Sequence, residues 1–203
     1  MSQAGKPTGL MGILFGWIMH RSNRRMNQAI ADELELTGDE SLLEIGCGTG
    51  DALVLLAPRL PDGCIVGIDH SEVMVKRAIK TNRRFNNVTI ELSGLEYFSA
   101  KSEAFNYVLL SNVHQFWLDP IACFSEINTL LKPEGVLTVA IRLHDTENRS
   151  FFSKIGYNQE KQDELFEQLK QAGFTNIKKT RINLQQLEVM LVQASVNSDR
   201  HPL

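Results

Sequence analysis

Apolar and polar residues alternate along the chain in blocks that predict strands and helices following one another. The apolar run at 41–46 has the length of a buried strand, and the apolar residues at 51–60 recur at helical spacing. Turn-forming residues separate most of these blocks. The predicted strands are 41–46, 64–69, 88–92, 106–112, 136–142, 176–183 and 187–195, and the predicted helices are 24–36, 51–60, 71–85, 120–131 and 160–173.

This alternation predicts an α/β fold: a Rossmann-like, doubly wound and mostly parallel sheet of seven strands, the last of them antiparallel. The final two strands are joined by a short link, which indicates an antiparallel pair. Ser71 is expected to cap the third helix, and the sequence KPEG at 132–135 is expected to form a turn. In the first helix, four residues are predicted to share one apolar face: Met26, Ile30, Ala31 and Leu34.

Three regions follow from these boundaries: an N-terminal helical leader at 1–36, a main domain at 37–195 and a polar tail at 196–203. The tail is expected to be disordered. The leader contains ten apolar or glycine residues at 10–19, whereas a helix that crosses a bilayer needs about 20. No small-residue cleavage site of a signal peptide follows them. We therefore expect a helical lid over the main domain, with contact to a membrane surface as the alternative.

Composition and charge restrict the class of protein. The 203 residues are 43% hydrophobic and carry a net charge of −3, with a pI near 6.0, as in a soluble globular domain. An acidic pI argues against a broad basic face, so no nucleic-acid partner is expected. The three cysteines lie far apart and match no metal-ligand spacing, so we expect no metal site and a reduced, cytoplasmic protein.

The glycine-rich turn after the first predicted strand indicates a nucleotide-like ligand, but not a dinucleotide. A dinucleotide fingerprint needs a third glycine at position 51, where this chain has Asp51. Its carboxylate would repel a pyrophosphate, whereas a cationic ligand without phosphate tolerates acidic neighbours. Glu44, at the end of the first strand, is placed for an ammonium group. Asp69 ends the second strand, where a carboxylate can accept hydrogen bonds from both ribose hydroxyls.

These residues belong to a longer set of motifs that resembles the class I S-adenosylmethionine-dependent methyltransferases. LLEIGCGTG at 42–50 is similar to the family's first motif, and VGIDHSEVMVKRA at 66–78 is similar to its second. The stretches at 105–120 and 124–140 resemble its later motifs. The resemblance implies that the protein binds S-adenosylmethionine and releases S-adenosylhomocysteine. The cofactor-binding residues that it implies are Glu44, Gly46, Cys47, Gly48, Asp69, His70, Met74, Gly94, Leu95 and Ser111.

The chain departs from the family's pattern at two positions. The family usually has an acidic residue after the third strand, which bonds the adenine amino group, and the matching residue here is Gly94. Adenine would then rely on the backbone near Gly94 and on packing, with Glu96 or Ser93 as possible replacements for the acid. Asn106 takes the place of the usual aspartate in the fourth strand, a position that supports the fold and not the chemistry.

The resemblance also bears on the methyl acceptor. Enzymes that methylate amino groups of bases or amides typically carry an Asn/Asp-Pro-Pro-aromatic motif after the fourth strand, where this chain has SNVHQF at 111–116. A small-molecule acceptor is therefore favoured, and the chain is nearest to the ubiquinone/menaquinone-type methyltransferases. His114 is the first candidate for a general base, with a pKa of about 6.5 if unperturbed. His144 and His20 follow it, and a purely structural His114 is the alternative.

Three rival functions stay open on the sequence. An NAD-dependent oxidoreductase is disfavoured by Asp51 and by the absence of a second domain. A catalytically silent binding protein that keeps the cofactor fold is favoured by Gly94 in place of an acid. A membrane-associated enzyme acting on a lipid-like quinol is suggested by the apolar leader, which is followed by Arg21, Arg24 and Arg25.

The lid hypothesis predicts the effect of a truncation. Deletion of residues 1–22 is expected to leave a folded domain that still binds S-adenosylhomocysteine, but with slower methyl transfer, because a lid excludes water from the reaction. Binding is measured by calorimetry and turnover by the formation of S-adenosylhomocysteine. A truncated protein with the turnover of the full chain would show that the leader is not a lid.

Overall fold

Seven strands form one sheet in the computed structural model, which describes residues 24–144, 156–184 and 188–197. The strands are β1 (Ser41–Ile45), β2 (Cys64–Asp69), β3 (Val88–Leu92), β4 (Phe105–Ser111), β5 (Leu131–Arg142), β6 (Thr175–Asn183) and β7 (Glu188–Ser195). Their order across the sheet is β3-β2-β1-β4-β5-β7-β6. The first five strands run parallel, and β7 pairs antiparallel with both β5 and β6. The predicted fold class is confirmed.

Helices cover both faces of this sheet. In the described residues they are α1 (24–33), α2 (Asp51–Leu56), α3 (Glu72–Asn82), α4 (Pro120–Leu130) and α5 (Gln159–Gln171). Short 3-10 turns follow α2 at Ala57–Arg59, β3 at Leu95–Tyr97 and β4 at His114–Phe116. Because the two last turns lie directly beyond strand ends, they position side chains at the carboxyl edge of the sheet.

Among the described residues the hydrophobic core forms two clusters, one on each face of the sheet. Successive side chains of a strand point to opposite faces, so Leu42 joins the cluster beneath α1 and α2, and Leu43 joins the other one. The second cluster contains Phe124 of α4 and Leu165 of α5, both buried. The predicted apolar face of the first helix is confirmed, since Met26, Ile30 and Ala31 of α1 are buried, as is Leu34, which directly follows it.

Three local predictions hold only in part. The KPEG residues lie within β5, where pairing with β4 moves from Phe105↔Leu131 to Tyr107↔Val136 and Glu134 has a positive φ of 63°, so the predicted turn is a bulge inside the strand. Ser71 is the N-cap residue of α3, as predicted, but its side chain makes no capping hydrogen bond. Val196, placed in a disordered tail, is buried, and its N–H donates to the carbonyl of Gly135.

Other predictions concern residues that the structure does not describe. The apolar segment at 10–19, the candidate His20 and the end of the tail from 198 lie outside the described ranges. Among the helices that are described, none has the length and apolar character needed to cross a membrane.

Candidate functional site

The glycine-rich turn ties the end of β1 to the end of β2. The N–H groups of Gly46 and Cys47 both donate to the carbonyl of Ile68, at 2.8 and 3.0 Å. The chain then turns through positive φ angles of 72°, 56° and 74° at Gly46, Gly48 and Gly50, which glycine adopts without strain. The three glycines therefore allow a tight reversal that brings the ends of both strands into one site.

The three glycines differ in what surrounds them. A Cβ atom at Gly46 would overlap the side chain of Val113, and one at Gly50 would overlap the amide of Asn82. A Cβ atom at Gly48 would meet nothing within 4 Å. Gly46 and Gly50 are thus needed for internal packing, whereas Gly48 leaves open space in which a ligand can approach the backbone.

Asp69 is a fixed hydrogen-bond acceptor beside this open space. Its Oδ2 accepts the N–H of Gly48 at 2.9 Å, and its Oδ1 accepts the N–H of Ser71 at 2.8 Å. The residue is 7% exposed, and each carboxylate oxygen retains a second acceptor site. His70 Nδ1 lies 4.0 Å from Oδ1 with its ring largely in solvent. The two backbone bonds orient a carboxylate that can still bind a pair of hydroxyl groups.

Glu44 lies deeper in the same site and is 3% exposed. Its Oε2 has no hydrogen-bond partner among the residues that the structure describes. Burial, and then the nearby carboxylates of Asp51 and Asp69, raise the pKa of Glu44 to about 8. Burial also raises the pKa of the Cys47 thiol, as do Glu44 and Asp69. Three carboxyl groups with a thiol are therefore a set suited to a cation and unsuited to an anion.

The remaining candidate cofactor residues lie at the ends of neighbouring strands. Met74 is half-buried on α3 after β2, Leu95 is buried after β3, and Ser111 is half-buried at the end of β4. Because the strands are parallel and adjacent, these ends share one edge of the sheet with the glycine turn. Among the candidate cofactor residues, the described hydrogen bonds connect only Gly48 and Asp69. The other candidates are related to these two only by lying at the same edge of the sheet.

An acidic group does lie next to Gly94, although the residue itself has no side chain. A Cβ atom at Gly94 would be 2.6–2.8 Å from the carboxyl group of Glu96. The Glu96 carboxyl group therefore occupies the space that a side chain at position 94 would take. The sequence offers Glu96 and Ser93 as equal replacements, and the hydroxyl of Ser93 donates to the carbonyl of Gly94 instead.

His114 lies just beyond β4 and is 3% exposed. Its Nε2 is 2.7 Å from the hydroxyl of Tyr157, and its ring packs near those of Trp117 and Phe124. Burial lowers the pKa of His114 to about 4, from about 6.5 for an unperturbed side chain. Its Nδ1 has no hydrogen-bond partner within the described part of the chain.

The aromatic segment FFSKIGY at 151–157, which includes Tyr157, is expected from the sequence to add aromatic walls to the pocket, but the sequence assigns Tyr157 no role of its own. Its N–H donates to the carbonyl of Arg142 and its carbonyl accepts the N–H of His144, which fixes it beside the end of β5. Burial raises its pKa to about 12, so the phenol stays protonated. The only signal in the sequence is the aromatic character of FFSKIGY at 151–157, which does not predict contact with His114, 43 residues earlier.

Some groups that would indicate other chemistry are not found. Within the described ranges, no group of three or more His, Cys, Asp or Glu side chains could hold a metal ion. The three cysteines are free thiols: Cys47, Cys64 and Cys123.

Comparison with known sequences relates the chain to methyltransferases. Residues 36–193 match the model of a family described as a methyltransferase domain. An uncharacterized methyltransferase of Bacillus subtilis, YdaC, is 27% identical over 66% of this chain and 74% of its own. The malonyl-[acyl-carrier protein] O-methyltransferase of Acetivibrio thermocellus is 29% identical over 64% of this chain, and the match spans 46% of that relative. A trans-aconitate 2-methyltransferase of Yersinia pseudotuberculosis is 29% identical over 52% of this chain and 40% of its own.

Solved structures show the same fold at lower identity. A SAM-dependent methyltransferase from Aquifex aeolicus is 18% identical, covers 84% of this chain and 89% of its own, and has a TM-score of 0.71. The [4+2]-cyclase SpnF is 19% identical, covers 86% of this chain and 81% of its own, and also has a TM-score of 0.71. Since one of these proteins is called a cyclase, the likeness of fold does not by itself define a reaction.

The surroundings of the glycines predict different effects for two matched substitutions. Both Gly46→Ala and Gly48→Ala place a side chain at a positive φ angle, which costs about 1 kcal/mol. Gly46→Ala must also displace Val113, so its urea unfolding midpoint is expected to fall further than that of Gly48→Ala. Gly48→Ala is expected to weaken ligand binding more than its small loss of stability explains. Equal unfolding midpoints for the two variants would contradict this assignment.

Proposed function

The chain belongs to the class I S-adenosylmethionine-dependent methyltransferases, and on that premise we propose that it transfers a methyl group from S-adenosylmethionine to a small-molecule acceptor. The observation that carries this proposal is the acidic site at the glycine turn, with open space at Gly48 and a buried, unpartnered oxygen on Glu44. S-adenosylmethionine carries its methyl group on a sulfonium sulfur. The neutral thioether that remains after transfer is a good leaving group. The residues of the chain then have to bind, align and exclude water.

Each part of the cofactor has a matching group in the site. Asp69 accepts the hydroxyls of the ribose through its remaining acceptor sites, and Gly48 allows the backbone to approach. The carboxylate of Glu44 forms an ion pair with the ammonium group. His70, Met74 and Leu95 border the adenine, and the carboxyl group of Glu96 accepts its amino group. The remaining candidates form the wall of the site at the same edge, mainly through their backbone atoms: Gly46, Cys47, Gly94 and Ser111.

The acceptor is a small molecule in this proposal. The name of the Yersinia relative gives trans-aconitate as its substrate, a small polar molecule. The chain's acidic pI supports the same class, because it disfavours a nucleic-acid acceptor. A small acceptor must be held by side chains near the ends of β4 and β5, where His114, Tyr157 and His144 lie.

His114 is the proposed general base, and its geometry selects the nitrogen that acts. When Nε2 carries the ring hydrogen and donates it to the hydroxyl oxygen of Tyr157, Nδ1 holds the free lone pair and is the atom that takes the proton from the acceptor. Burial keeps the ring neutral near pH 7, which is the form that a base requires. Trp117 and Tyr157 hold the ring in place and exclude water from it.

The cofactor assignment predicts the effect of Asp69→Ala. The change removes the acceptor for two ribose hydroxyls, and hydrogen bonds to a charged group contribute about 1.5–3 kcal/mol each. Affinity for S-adenosylhomocysteine is expected to fall by at least about tenfold. Asp62→Ala, an exposed acid in the turn before β2, is the control and should bind normally. Calorimetric affinity that is unchanged in Asp69→Ala would overturn the ribose assignment.

The assignment of His114 predicts the behaviour of His114→Gln. The variant is expected to lose roughly 10²- to 10⁴-fold in kcat with little change in cofactor affinity. In the wild type, kcat should rise with pH only through the low pKa of about 4 and stay flat above it. Turnover is followed as S-adenosylhomocysteine formed with a panel of small carboxylate, hydroxyl and quinol acceptors.

Stability separates the catalytic role of His114 from a structural one. The folded state disfavours the charged ring, so His114 contributes stability above its unfolded pKa of about 6.5 that is lost as pH falls towards 4. A His114→Gln protein that is less stable but fully active per folded molecule would end the catalytic assignment. A protein that binds the cofactor but transfers no methyl group to any acceptor would support a silent binding protein instead.

A further inference from the structure

Two glutamates at the opposite ends of β1 are both buried but have opposite surroundings. Glu40 directly precedes the strand and Glu44 is near its end, about 13 Å apart along an extended chain. Glu40 is 8% exposed and Glu44 is 3% exposed. The two residues differ in the hydrogen-bond partners of their carboxyl groups, and therefore in their pKa.

Glu40 has the partners that an ionised carboxylate requires. Its Oε1 accepts the N–H and the hydroxyl of Thr37, both at 2.7 Å, and its Oε2 accepts the N–H of Gly38 at 2.9 Å. Burial acts to raise its pKa, but these hydrogen bonds outweigh burial and lower the pKa to about 2. Glu40 is therefore charged throughout the neutral range.

Glu44 has no such partners in the described structure. Its neighbours across the sheet are Gly67 on β2 and Leu109 on β4, neither of which carries a polar side chain. The titratable groups that face it are Asp69 from the end of β2, Asp51 from the start of α2 and the thiol of Cys47 in the turn. Every one of these groups is neutral or negative, so nothing described around Glu44 compensates a negative charge.

We propose that Glu44 is a neutral carboxylic acid in the ligand-free protein and loses its proton when the ammonium group of the cofactor enters the site. The proton leaves to the solvent, and the carboxylate that remains forms an ion pair with the ammonium group, so charge and atoms balance. This inference rests on the proposed function, which supplies the cationic ligand. The elevated pKa of Glu44 agrees with the geometry.

The exchange of a proton for a cation has a consequence for binding. At a pH below the pKa of Glu44, a proton competes with the ligand, because only the ionised carboxylate attracts the ammonium group. Affinity is then expected to fall by up to about tenfold for each unit by which the pH is lowered. The site is in this way a pH-sensitive cofactor site, in which the acid acts as a positioning group and not as a catalyst.

Proton release is measured by titration calorimetry of S-adenosylhomocysteine in buffers of different ionisation enthalpy. At about pH 7 the wild type is expected to release close to one proton per ligand bound, given a ligand-free pKa of about 8. Glu44→Gln should release almost none. Glu40→Gln, directly before the same strand, is the matched control, and it should release as much as the wild type because Glu40 is already ionised.

A second ligand tests the chemical cause of the release. 5′-Methylthioadenosine has the same nucleoside but no ammonium group, so its binding to the wild type should release no proton. Wild-type protein that binds S-adenosylhomocysteine without releasing a proton would overturn the proposal, as would equal release from Glu44→Gln. Failure of the wild type to bind S-adenosylhomocysteine at all would instead overturn the proposed function.

Unfolding without any ligand tests the protonation of Glu44 independently. The folded pKa lies above the unfolded value of about 4.3, so the wild type is stabilised below that value and loses this contribution as pH rises towards 8. The urea midpoint of the wild type should therefore fall relative to that of Glu44→Gln between about pH 5 and about pH 8. A difference between the two proteins that does not change with pH would show that Glu44 is charged, and the proposal would fail.

Discussion

The carbonyl of Ile68 accepts two successive N–H groups, from Gly46 and Cys47, and the candidate site depends on this contact. It joins β1 to β2 where both strands end, and it forces the chain into a reversal that requires positive φ angles. The same reversal directs the N–H of Gly48 at Asp69 and so fixes the orientation of that carboxylate. The shape of the candidate site thus comes from backbone geometry and not from a set of flexible side chains.

The candidate site holds a buried carboxyl group, that of Glu44, without a partner among the described residues, and a cationic ligand would supply one. Buried polar groups are normally hydrogen-bonded, since an unpaired one costs about 1–3 kcal/mol. Glu40 follows this rule at one end of β1, and Glu44 departs from it at the other. The cost of leaving Glu44 without partners falls at the carboxyl end of the sheet, where ligands bind in folds of this kind. The fold concentrates local instability at the position where binding can relieve it.

Membership of the methyltransferase family and the fold agree with the motifs, and the acceptor site that we propose lies at the edge beyond β4 and β5. There the chain places a buried imidazole against a phenol that comes from a different part of the sequence. Burial makes His114 a weaker base than a free histidine and keeps it neutral. The same burial holds the ring in one orientation, so that Nδ1 is the only ring nitrogen without a described partner.

The sequence by itself determined the order of strands and helices, the parallel sheet and the glycine turn, because these depend on local periodicity and on backbone freedom. It also predicted that Glu44 and Asp69 lie at the ends of neighbouring strands, since a strand end is a local feature. Tertiary structure alone decided the pairing of His114 with Tyr157, the placing of the Glu96 carboxyl group beside Gly94 and the bulge at 132–135. It also decided the pKa values of Glu44 and His114, because burial and neighbouring charges come from residues that are distant in the chain and adjacent only in the fold.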